Sequence, residues 1–212
     1  MHIELTEMLR CPESHEEALL VMSTGEMLGR MVRTGILGCP VCRKEYPILN
    51  GVVNFSGSGK REAGCVVPDR LPHPASPIPH PVDPQTLQAL LDLSGPGGYV
   101  VLVGSAARHA VGLAELMGGI HFVGVNPPPD AEELPVLSLL RCDTLIPLIP
   151  LRPAMARSVV VGSDCVTAPW LAEARSVLLR GRRLVIEDEQ VSAPEGMTKL
   201  ASGHGLWVGE KQ

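Results

Sequence analysis

The sequence predicts an α/β protein in two parts, a small β-rich part followed by a larger part built on a parallel sheet. Three observations in the 212 residues support this prediction. Cysteines with metal-ligand spacing and short apolar runs fill residues 1–55, a proline-rich stretch covers residues 56–82, and strand patterns alternate with helical ones over residues 83–212. Such alternation is typical of a parallel sheet with helices packed on it. We therefore expect two domains joined by a linker.

Composition and charge exclude several classes of function. The apolar share of 45% is enough for a core, although the chain has only two residues each of Trp, Tyr and Phe. The net charge is −5, and residues 1–55 hold five basic and seven acidic residues, whereas proteins that bind nucleic acid usually carry a basic excess. The sequence shows no run of 18 apolar residues and no secretory signal pattern, so we expect a cytoplasmic protein that does not span a membrane.

The first part carries four potential metal ligands. Cys39 and Cys42 are separated by two residues in a turn after Gly38, and Cys11 and His15 lie upstream. Together the four form a Cys₃His set, which suits a closed tetrahedral Zn²⁺ site that would stabilise the fold and leave no position open for catalysis. A redox-active or merely structural cysteine pair is the alternative. The residues after Cys42 indicate a hairpin, however, and not the helix that a thioredoxin-type pair needs.

Short strands are expected around these ligands. A helical turn is predicted at residues 5–9 and strands at residues 18–22 and 30–33. The pair Asn50-Gly51 stands in the middle of the apolar segment 46–55, which predicts a hairpin with a type I′ turn. Because so small a part buries little surface, the metal is expected to supply much of its folding free energy.

Three segments of the first part resemble the Trm112-like zinc-ribbon family: Leu9-Arg10-Cys11-Pro12, Gly38-Cys39-Pro40-Val41-Cys42 and Tyr46-Pro47-Ile48-x-Asn50-Gly51-Val52-Val53. In that family a C-P-x-C pair and a C-x-x-C pair bracket strands, and a Y-P-I-x-D/N-G-I-P segment follows. Ser14 departs from the pattern, because the family usually has a ligand there. Family members bind and stabilise methyltransferases, or are fused to them, and are not enzymes. The resemblance therefore implies a structural zinc and a protein partner.

Residues 56–82 are predicted to be a linker. The segment from Pro68 through Pro84 contains seven prolines, both ends included, and proline can form neither helix nor ladder hydrogen bonds through its nitrogen. We expect an extended, partly polyproline-II segment. His73 and His80 lie in it and are expected to be exposed linker residues, because an extended segment fixes no coordination geometry.

The second part alternates helices and strands. A helix is predicted to begin with Asp83 as N-cap and Pro84 in its first turn, and to end at Gly95. It is followed in order by a strand at 99–104, a helix at 106–117, strands at 120–126 and 158–162, a helix at 168–179, a strand at 183–186 and a last strand within 203–209.

This order resembles the Rossmann-like domain of class I S-adenosylmethionine-dependent methyltransferases. In that comparison Gly104 matches the first glycine of the family's first-strand motif, Asn126 the acid that holds the ribose hydroxyls, and Asp143 the acid beside the adenine. The resemblance implies that these three residues contact S-adenosylmethionine if cofactor binding is retained.

Other positions of the family's cofactor-binding motif carry different residues in this sequence. Leu102 replaces an acidic residue, and Ala106 and Arg108 replace two glycines that let the backbone approach the cofactor. Asn126 also loses charge-assisted hydrogen bonds of about 1.5–3 kcal/mol each. We therefore expect a degenerate domain that has kept its sheet, with S-adenosylmethionine a doubtful cofactor.

No catalytic residues are predicted. Asp164 and Cys165 follow the strand at 158–162, at the edge where active sites of such sheets lie, but Asp164 is expected to be a loop or cap acid. Cys142 and Cys165 are expected to be small buried apolar residues. The basic cluster of the second part is expected to be a solvated turn; it comprises Arg180, Arg182 and Arg183.

The sequence thus leaves two functions open. The first is a non-catalytic scaffold or assembly partner, made of a zinc ribbon fused to a degenerate methyltransferase-like domain, which associates with another protein or with itself. The second is an active methyltransferase that its zinc ribbon stabilises in cis. Whether the chain is an enzyme is not decided by its residues alone, although the losses around Gly104 favour the first.

Overall fold

One mixed sheet of eleven strands runs through the protein in the computed structural model, which describes residues 1–56, 82–143 and 147–212. The predicted linker lies almost wholly outside these residues, as do His73, His80 and Cys65. None of the helices within the described ranges has the length and apolarity needed to cross a membrane.

The first part is a small antiparallel ribbon. A 3-10 helix at Ile3–Met8 is followed by strands β1 (Val21–Thr24), β2 (Met27–Leu28), β3 (Met31–Val32), β4 (Gly35–Gly38), β5 (Glu45–Leu49) and β6 (Val52–Asn54). The predicted hairpin is confirmed, because Leu49 pairs with Val52 and both turn residues have positive φ, 50° at Asn50 and 81° at Gly51.

The predicted strand at 18–22 is displaced along the chain. Regular pairing with β4 begins only at Val21. Residues 18–20 instead face residues 9–15, the first knuckle, which carries Cys11 and His15. There the Cys11 N–H donates to the Ala18 carbonyl (2.9 Å) and the Leu20 N–H to the Leu9 carbonyl (3.4 Å). Strand β4 was not predicted, because its apolar core of two residues lies between glycines.

The second part follows the predicted alternation. Its elements are helix α1 (Pro84–Leu91), β7 (Tyr99–Val103), α2 (Ala110–Leu116), β8 (His121–Val125), β9 (Leu137–Arg141), β10 (Ala156–Val161), α3 (Ala168–Val177), β11 (Leu178–Ile186), β12 (Met197–Gly203) and β13 (Leu206–Lys211). Asp83 caps α1 as predicted, since its carboxylate accepts the Thr86 N–H at 3.0 Å. The helix predicted from residue 106 starts four residues later, because Gly104–His109 form a 3-10 segment. Strands β9 and β12 were not predicted.

The strand order is β1-β4-β5-β6-β9-β8-β7-β10-β11-β13-β12. The block β9-β8-β7-β10-β11 is parallel and has the doubly wound order 3-2-1-4-5, with the direction of winding reversing between β7 and β10. The predicted fold class is therefore confirmed: a small β-rich part followed by a Rossmann-like parallel sheet.

The two parts share this sheet. Strand β6 pairs in parallel with β9, placing Val52 beside Leu139 and Val53 beside Leu140. A second contact joins the first knuckle to residues 150–152, where the Arg10 N–H donates to the Pro150 carbonyl (3.1 Å) and the Arg152 N–H to the Met8 carbonyl (2.8 Å). Backbone pairing thus crosses the predicted domain boundary at residue 55.

Each face of the parallel block has its own helical cover. On one face α3 packs through Trp170 and Leu171 onto a core that also contains the ribbon residues Tyr46 and Val53. On the other face α1 and α2 pack onto alternate residues of the same strands, including Leu102. The ribbon core and the α3 side of the sheet are therefore one apolar cluster.

Two arginines bind the end of α1 and the loop after it through hydrogen bonds and an ion pair. Arg183 donates to the Leu90 carbonyl (3.1 Å) and forms an ion pair with Asp92 (2.7 Å), and Arg157 donates to the carbonyls of residues 94–97. The expectation that Arg183 belongs to a solvated turn was therefore wrong. Its guanidinium satisfies backbone acceptors at the end of a helix, where cations are favoured.

Candidate functional site

The four predicted metal ligands come together at one end of the ribbon. Their ligand atoms all lie within 4.8 Å of one another. The Sγ atoms of Cys11 and Cys42 are 3.7 Å apart, and Cys39 Sγ is 3.4 Å from His15 Nε2. A tetrahedron with Zn–S bonds of about 2.3 Å has edges of roughly 3.8 Å, so this spacing fits a zinc ion. These residues could hold a metal ion, as the sequence predicted.

Hydrogen bonds prepare these side chains as ligands. His15 Nδ1 lies 2.5 Å from the Glu16 carbonyl, and a proton donated there leaves Nε2 free to face the thiols. Burial alone would raise the pKa of Cys39, but backbone N–H groups of Cys42 and Val41 directed at its sulfur lower it to about 7. The knuckle therefore favours a thiolate at this position.

Cys11 is held differently. Its burial raises the pKa of the thiol to about 11, so near neutral pH it ionises only when a cation replaces the proton. The Tyr46 hydroxyl lies 3.3 Å from its sulfur, and the Tyr46 ring packs against Phe55. The tyrosine of the Tyr46-Pro47-Ile48 segment thus contacts the Cys11 sulfur and helps to fix its position in the cluster. Nearby, Lys44 pairs with Glu13 at 2.7 Å.

The residues proposed for a cofactor lie along the carboxyl edge of the parallel block. Gly104, with φ of 63°, directly follows β7, Asn126 follows β8, and Asp143 comes two residues after β9. The Asn126 carbonyl Oδ1 accepts the Cys142 N–H at 2.7 Å, which ties the ends of β8 and β9 together. Its Nδ2 is buried and has no hydrogen-bond partner among the residues that the structure describes. The three residues therefore share one edge of the sheet.

The space directly above Gly104 is filled by the chain itself. Asp164 follows β10, and its Oδ1 accepts both the backbone N–H and the hydroxyl of Ser105, each at 2.8 Å. A methyl group placed on Gly104 would overlap the Asp164 carboxylate and the Cys165 sulfur. In a nucleotide-binding sheet this N–H is one that would serve an anionic ligand, and here a protein carboxylate takes it.

A second pair of polar side chains adjoins Ser105. His109 Nε2 lies 2.6 Å from Glu187 Oε1, and both side chains are less than one-fifth exposed. Glu187 Oε2 accepts the Ser163 N–H (3.3 Å) and lies 3.5 Å from the Ser105 hydroxyl oxygen. Sequence reasoning missed Ser105, His109 and Glu187. Their positions were the available signal, since Glu187 directly follows β11 and Ser105 is the second residue after β7.

Three further expectations can be compared with the structure. Cys142 and Cys165 are buried, as predicted, and burial raises the pKa of both thiols. Arg108 does not crowd the edge of the sheet, because its guanidinium turns outward to pair with Asp130 at 3.2 Å. Asp164 was expected to be a helix-cap or loop acid; it lies in the 3-10 turn Ser163–Cys165, and its carboxylate accepts hydrogen bonds from Ser105 in the 3-10 segment after β7.

No protein-family model matches the chain, and no curated protein matches it in sequence. Among solved structures, a geranyl diphosphate methyltransferase in complex with GPP and sinefungin is 20% identical with a TM-score of 0.41, over 49% of this chain and 42% of that one. A complex between the Haloferax volcanii Trm112 methyltransferase activator and the putative methyltransferase is 18% identical with a TM-score of 0.39, over 49% of this chain and 50% of that one. A SAM dependent methyltransferase from Aquifex aeolicus is 14% identical with a TM-score of 0.45, over 60% of this chain and 87% of that one. The chain thus spans half or less of the first two structures.

Proposed function

We propose that this protein is a non-catalytic assembly partner, in which a Trm112-like zinc ribbon is fused to a methyltransferase-like sheet that no longer binds its cofactor. The ribbon holds one structural zinc through Cys11, His15, Cys39 and Cys42. The sheet provides a rigid platform, and the protein acts by association with another protein.

The contact between Asp164 and Ser105 carries the proposal. A cofactor at this edge would need the Ser105 N–H and the space above Gly104, and both are taken by a carboxylate on a neighbouring loop. An anionic ligand group would also face the charges of Asp164 and Glu187, and such like-charge contacts oppose binding. The absence of an acid at Leu102, which is fully buried, agrees with the same interpretation.

The pairing of β6 with β9 supports the role given to the ribbon. Members of the family that the ribbon resembles stabilise methyltransferases, and here the ribbon supplies a strand to the sheet within one chain. A folded ribbon protects the edge of β9, which would otherwise present unpaired N–H and C=O groups.

The cofactor part of the proposal is tested by titrating the zinc-loaded protein with S-adenosylmethionine in a calorimeter. We expect no binding at concentrations up to about the millimolar range. The Asp164→Ala variant is the informative comparison, because weak binding that appears only in this variant would support the obstruction. A micromolar dissociation constant for the unaltered protein would overturn the proposal and favour an active methyltransferase.

The metal part has a separate test. Elemental analysis of the purified protein should give about one zinc per chain, and Cys39→Ser should lower this value together with thermal stability. Ser14→Ala is a matched control in the first knuckle, since Ser14 is exposed and not among the four ligands. A Cys39→Ser variant that keeps full stability without zinc would contradict the assignment.

A further inference from the structure

A buried tyrosine hydroxyl lies against the cluster of metal ligands. Tyr46 is on β5, and its hydroxyl oxygen is 3.3 Å from the Cys11 sulfur. Among the residues that the structure describes, this sulfur is the hydroxyl's one hydrogen-bond partner. Because a buried hydroxyl without a partner is unfavourable, the contact explains how Tyr46 is tolerated in the core. It also directs the hydroxyl at one of the four ligand atoms.

Metal binding decides which atom donates in this hydrogen bond. A cysteine binds zinc as a thiolate, so a metal-bound sulfur has no proton to donate. With the ion in place, the Tyr46 hydroxyl is therefore the donor and the Cys11 sulfur is the acceptor. A hydrogen bond to an ionised acceptor is roughly twice as strong as one between neutral groups. The contact is consequently strongest in the metal-bound protein.

The two buried ligand sulfurs receive different donors. The backbone N–H groups of Cys42 and Val41 point at the Cys39 sulfur. The Cys11 sulfur receives the backbone N–H of Glu13 and the hydroxyl of Tyr46. Three thiolates and a neutral imidazole around Zn²⁺ leave one negative charge, which such donors partly offset. A side chain from β5 thus does at Cys11 what a second backbone N–H does at Cys39.

Packing holds the tyrosine ring in place. The ring lies against Phe55, with 4.9 Å between the two centroids. Phe55 directly follows β6, and its N–H donates to the Arg141 carbonyl (2.7 Å) at the end of β9. The Tyr46 ring is therefore fixed between the metal ligands and the junction of the ribbon with the sheet. A hydroxyl on a ring held in this way has little freedom to leave the Cys11 sulfur.

We propose that Tyr46 is a positioning residue of the metal centre, whose hydroxyl donates to the metal-bound Cys11 thiolate, orients it and slows the loss of zinc. The inference rests on the proposed zinc site and adds a residue that determines how tightly the ion is held. Removing a group that hydrogen-bonds to a metal ligand typically lowers metal affinity about 10–100-fold. Tyr46→Phe should therefore still bind zinc, but more weakly.

The first measurement is zinc affinity, obtained by competition between the full-length protein and a chromophoric chelator. We expect Tyr46→Phe to hold zinc about 10–100-fold more weakly than the unaltered protein. Tyr99→Phe is the matched control, because Tyr99 is the other of the two tyrosines and lies on β7, where its ring packs against His121. This control should leave zinc affinity unchanged.

The second measurement separates the hydrogen bond from packing. The same proteins are loaded with Co²⁺, whose thiolate-to-metal charge-transfer absorption depends on the electron density at the sulfurs. A thiolate that loses a hydrogen bond donates more strongly to the metal, so the band of Tyr46→Phe should move to longer wavelength. The ligand-field bands, which report tetrahedral geometry, should keep their positions. Tyr99→Phe should give the spectrum of the unaltered protein.

A third measurement keeps both the ring and the hydroxyl. In the Tyr99→Phe background Tyr46 is the remaining tyrosine, so expression with a fluorotyrosine labels this position alone. A fluorine beside the hydroxyl makes it a stronger hydrogen-bond donor, and the charge-transfer band of the Co²⁺ protein should then move to shorter wavelength. This result does not depend on whether Tyr46→Phe folds.

Two results would overturn the inference while leaving the zinc site in place. One is equal zinc affinity of Tyr46→Phe and the unaltered protein. The other is a charge-transfer band that responds neither to Tyr46→Phe nor to the fluorotyrosine, because the tyrosine would then act through packing alone. An unaltered protein that holds neither zinc nor cobalt would instead contradict the proposed metal site itself, so the two failures are distinguishable.

Discussion

Single polar side chains hold this structure together at sites where the backbone leaves groups without partners. Lys211 on β13 is the clearest case, because its ammonium donates to three carbonyls at the end of α3, those of Arg175 (2.7 Å), Ser176 (3.3 Å) and Leu178 (2.6 Å). The last carbonyls of a helix have no partner within it, and a cation there also interacts favourably with the helix dipole.

Replacing Lys211 by Met keeps most of the aliphatic stem and removes these hydrogen bonds. We expect the free energy of unfolding to fall by about 1.5–3 kcal/mol, as for hydrogen bonds to a charged group. Urea denaturation measures the change. Lys199→Met on the neighbouring strand β12 is the control, since Lys199 is exposed and should alter stability by less than about 0.5 kcal/mol. Equal losses in the two variants would mean that the carbonyl contacts contribute nothing.

A partly buried histidine lies where the ribbon meets the sheet. His121 on β8 contacts the Ser138 hydroxyl at 2.9 Å, and that hydroxyl accepts the His2 N–H at 2.8 Å. The rings of His2 and Tyr99 pack against it. Burial, followed by the charge of His2, lowers the pKa of His121 to about 4.

This shift predicts a loss of stability in acid. Because the folded pKa lies below the unfolded value of about 6.5, the unfolded chain takes up a proton first as the pH falls. The stabilisation is complete above pH 6.5 and is lost progressively down to about pH 4, by about 2–3 kcal/mol. Denaturation of the unaltered protein and of His121→Gln across this range measures the difference. A parallel pH dependence in both proteins would exclude His121 as the cause.

At the scale of elements, local sequence signals were sufficient to predict a helix start or a turn where a residue has one strong conformational preference. Asp83 and Pro84 define the start of α1, and Asn50-Gly51 defines the hairpin between β5 and β6. The cluster that could hold a metal ion was predicted for the same reason, because two thiols three positions apart can direct both sulfur atoms at one ion.

Elements whose existence depends on distant partners were missed. Strand β9 becomes a strand because it lies between β6 and β8, and β12 because it pairs with β13. The contact of Asp164 with Ser105 joins loops that are 59 positions apart in the sequence. Neither periodicity nor spacing reports such pairings, so the filling of the space above Gly104 could not be predicted from the residues alone.

The hairpin turn offers a prediction at this scale. Gly51 has a φ of 81°, and an added Cβ would lie 3.3 Å from the Met1 nitrogen. Gly51→Ala should therefore lower the free energy of unfolding by about 1–2 kcal/mol, since L residues avoid this conformation. Gly118→Ala is the matched control, because an added Cβ there meets nothing within 4 Å and no positive φ is required. Thermal denaturation of both variants checks the prediction, and an unchanged melting temperature for Gly51→Ala would contradict it.

At the scale of the whole molecule, the shared sheet should make folding of the two parts cooperative. Val53 and Tyr46 of the ribbon belong to the same apolar cluster as Trp170 and Leu171 of α3. Arg10 of the first knuckle also pairs with Glu173 of α3 at 3.3 Å. A ribbon that loses its metal would therefore expose the edge of β9 and one side of this cluster, and the sheet would lose part of its own stability.

Both tryptophans lie far along the chain from the metal ligands, which makes this coupling measurable. Trp170 is on α3, and Trp207 is fully buried on β13. Removing zinc with a chelator should lower the melting temperature observed by tryptophan fluorescence by roughly 10 °C or more, because structural zinc contributes several kcal/mol to folding. Added zinc should restore the transition, and the chelator should have no further effect on Cys39→Ser. If the tryptophan transition stays in place while zinc is lost, the ribbon and the sheet fold independently, and the pairing of β6 with β9 contributes little to stability.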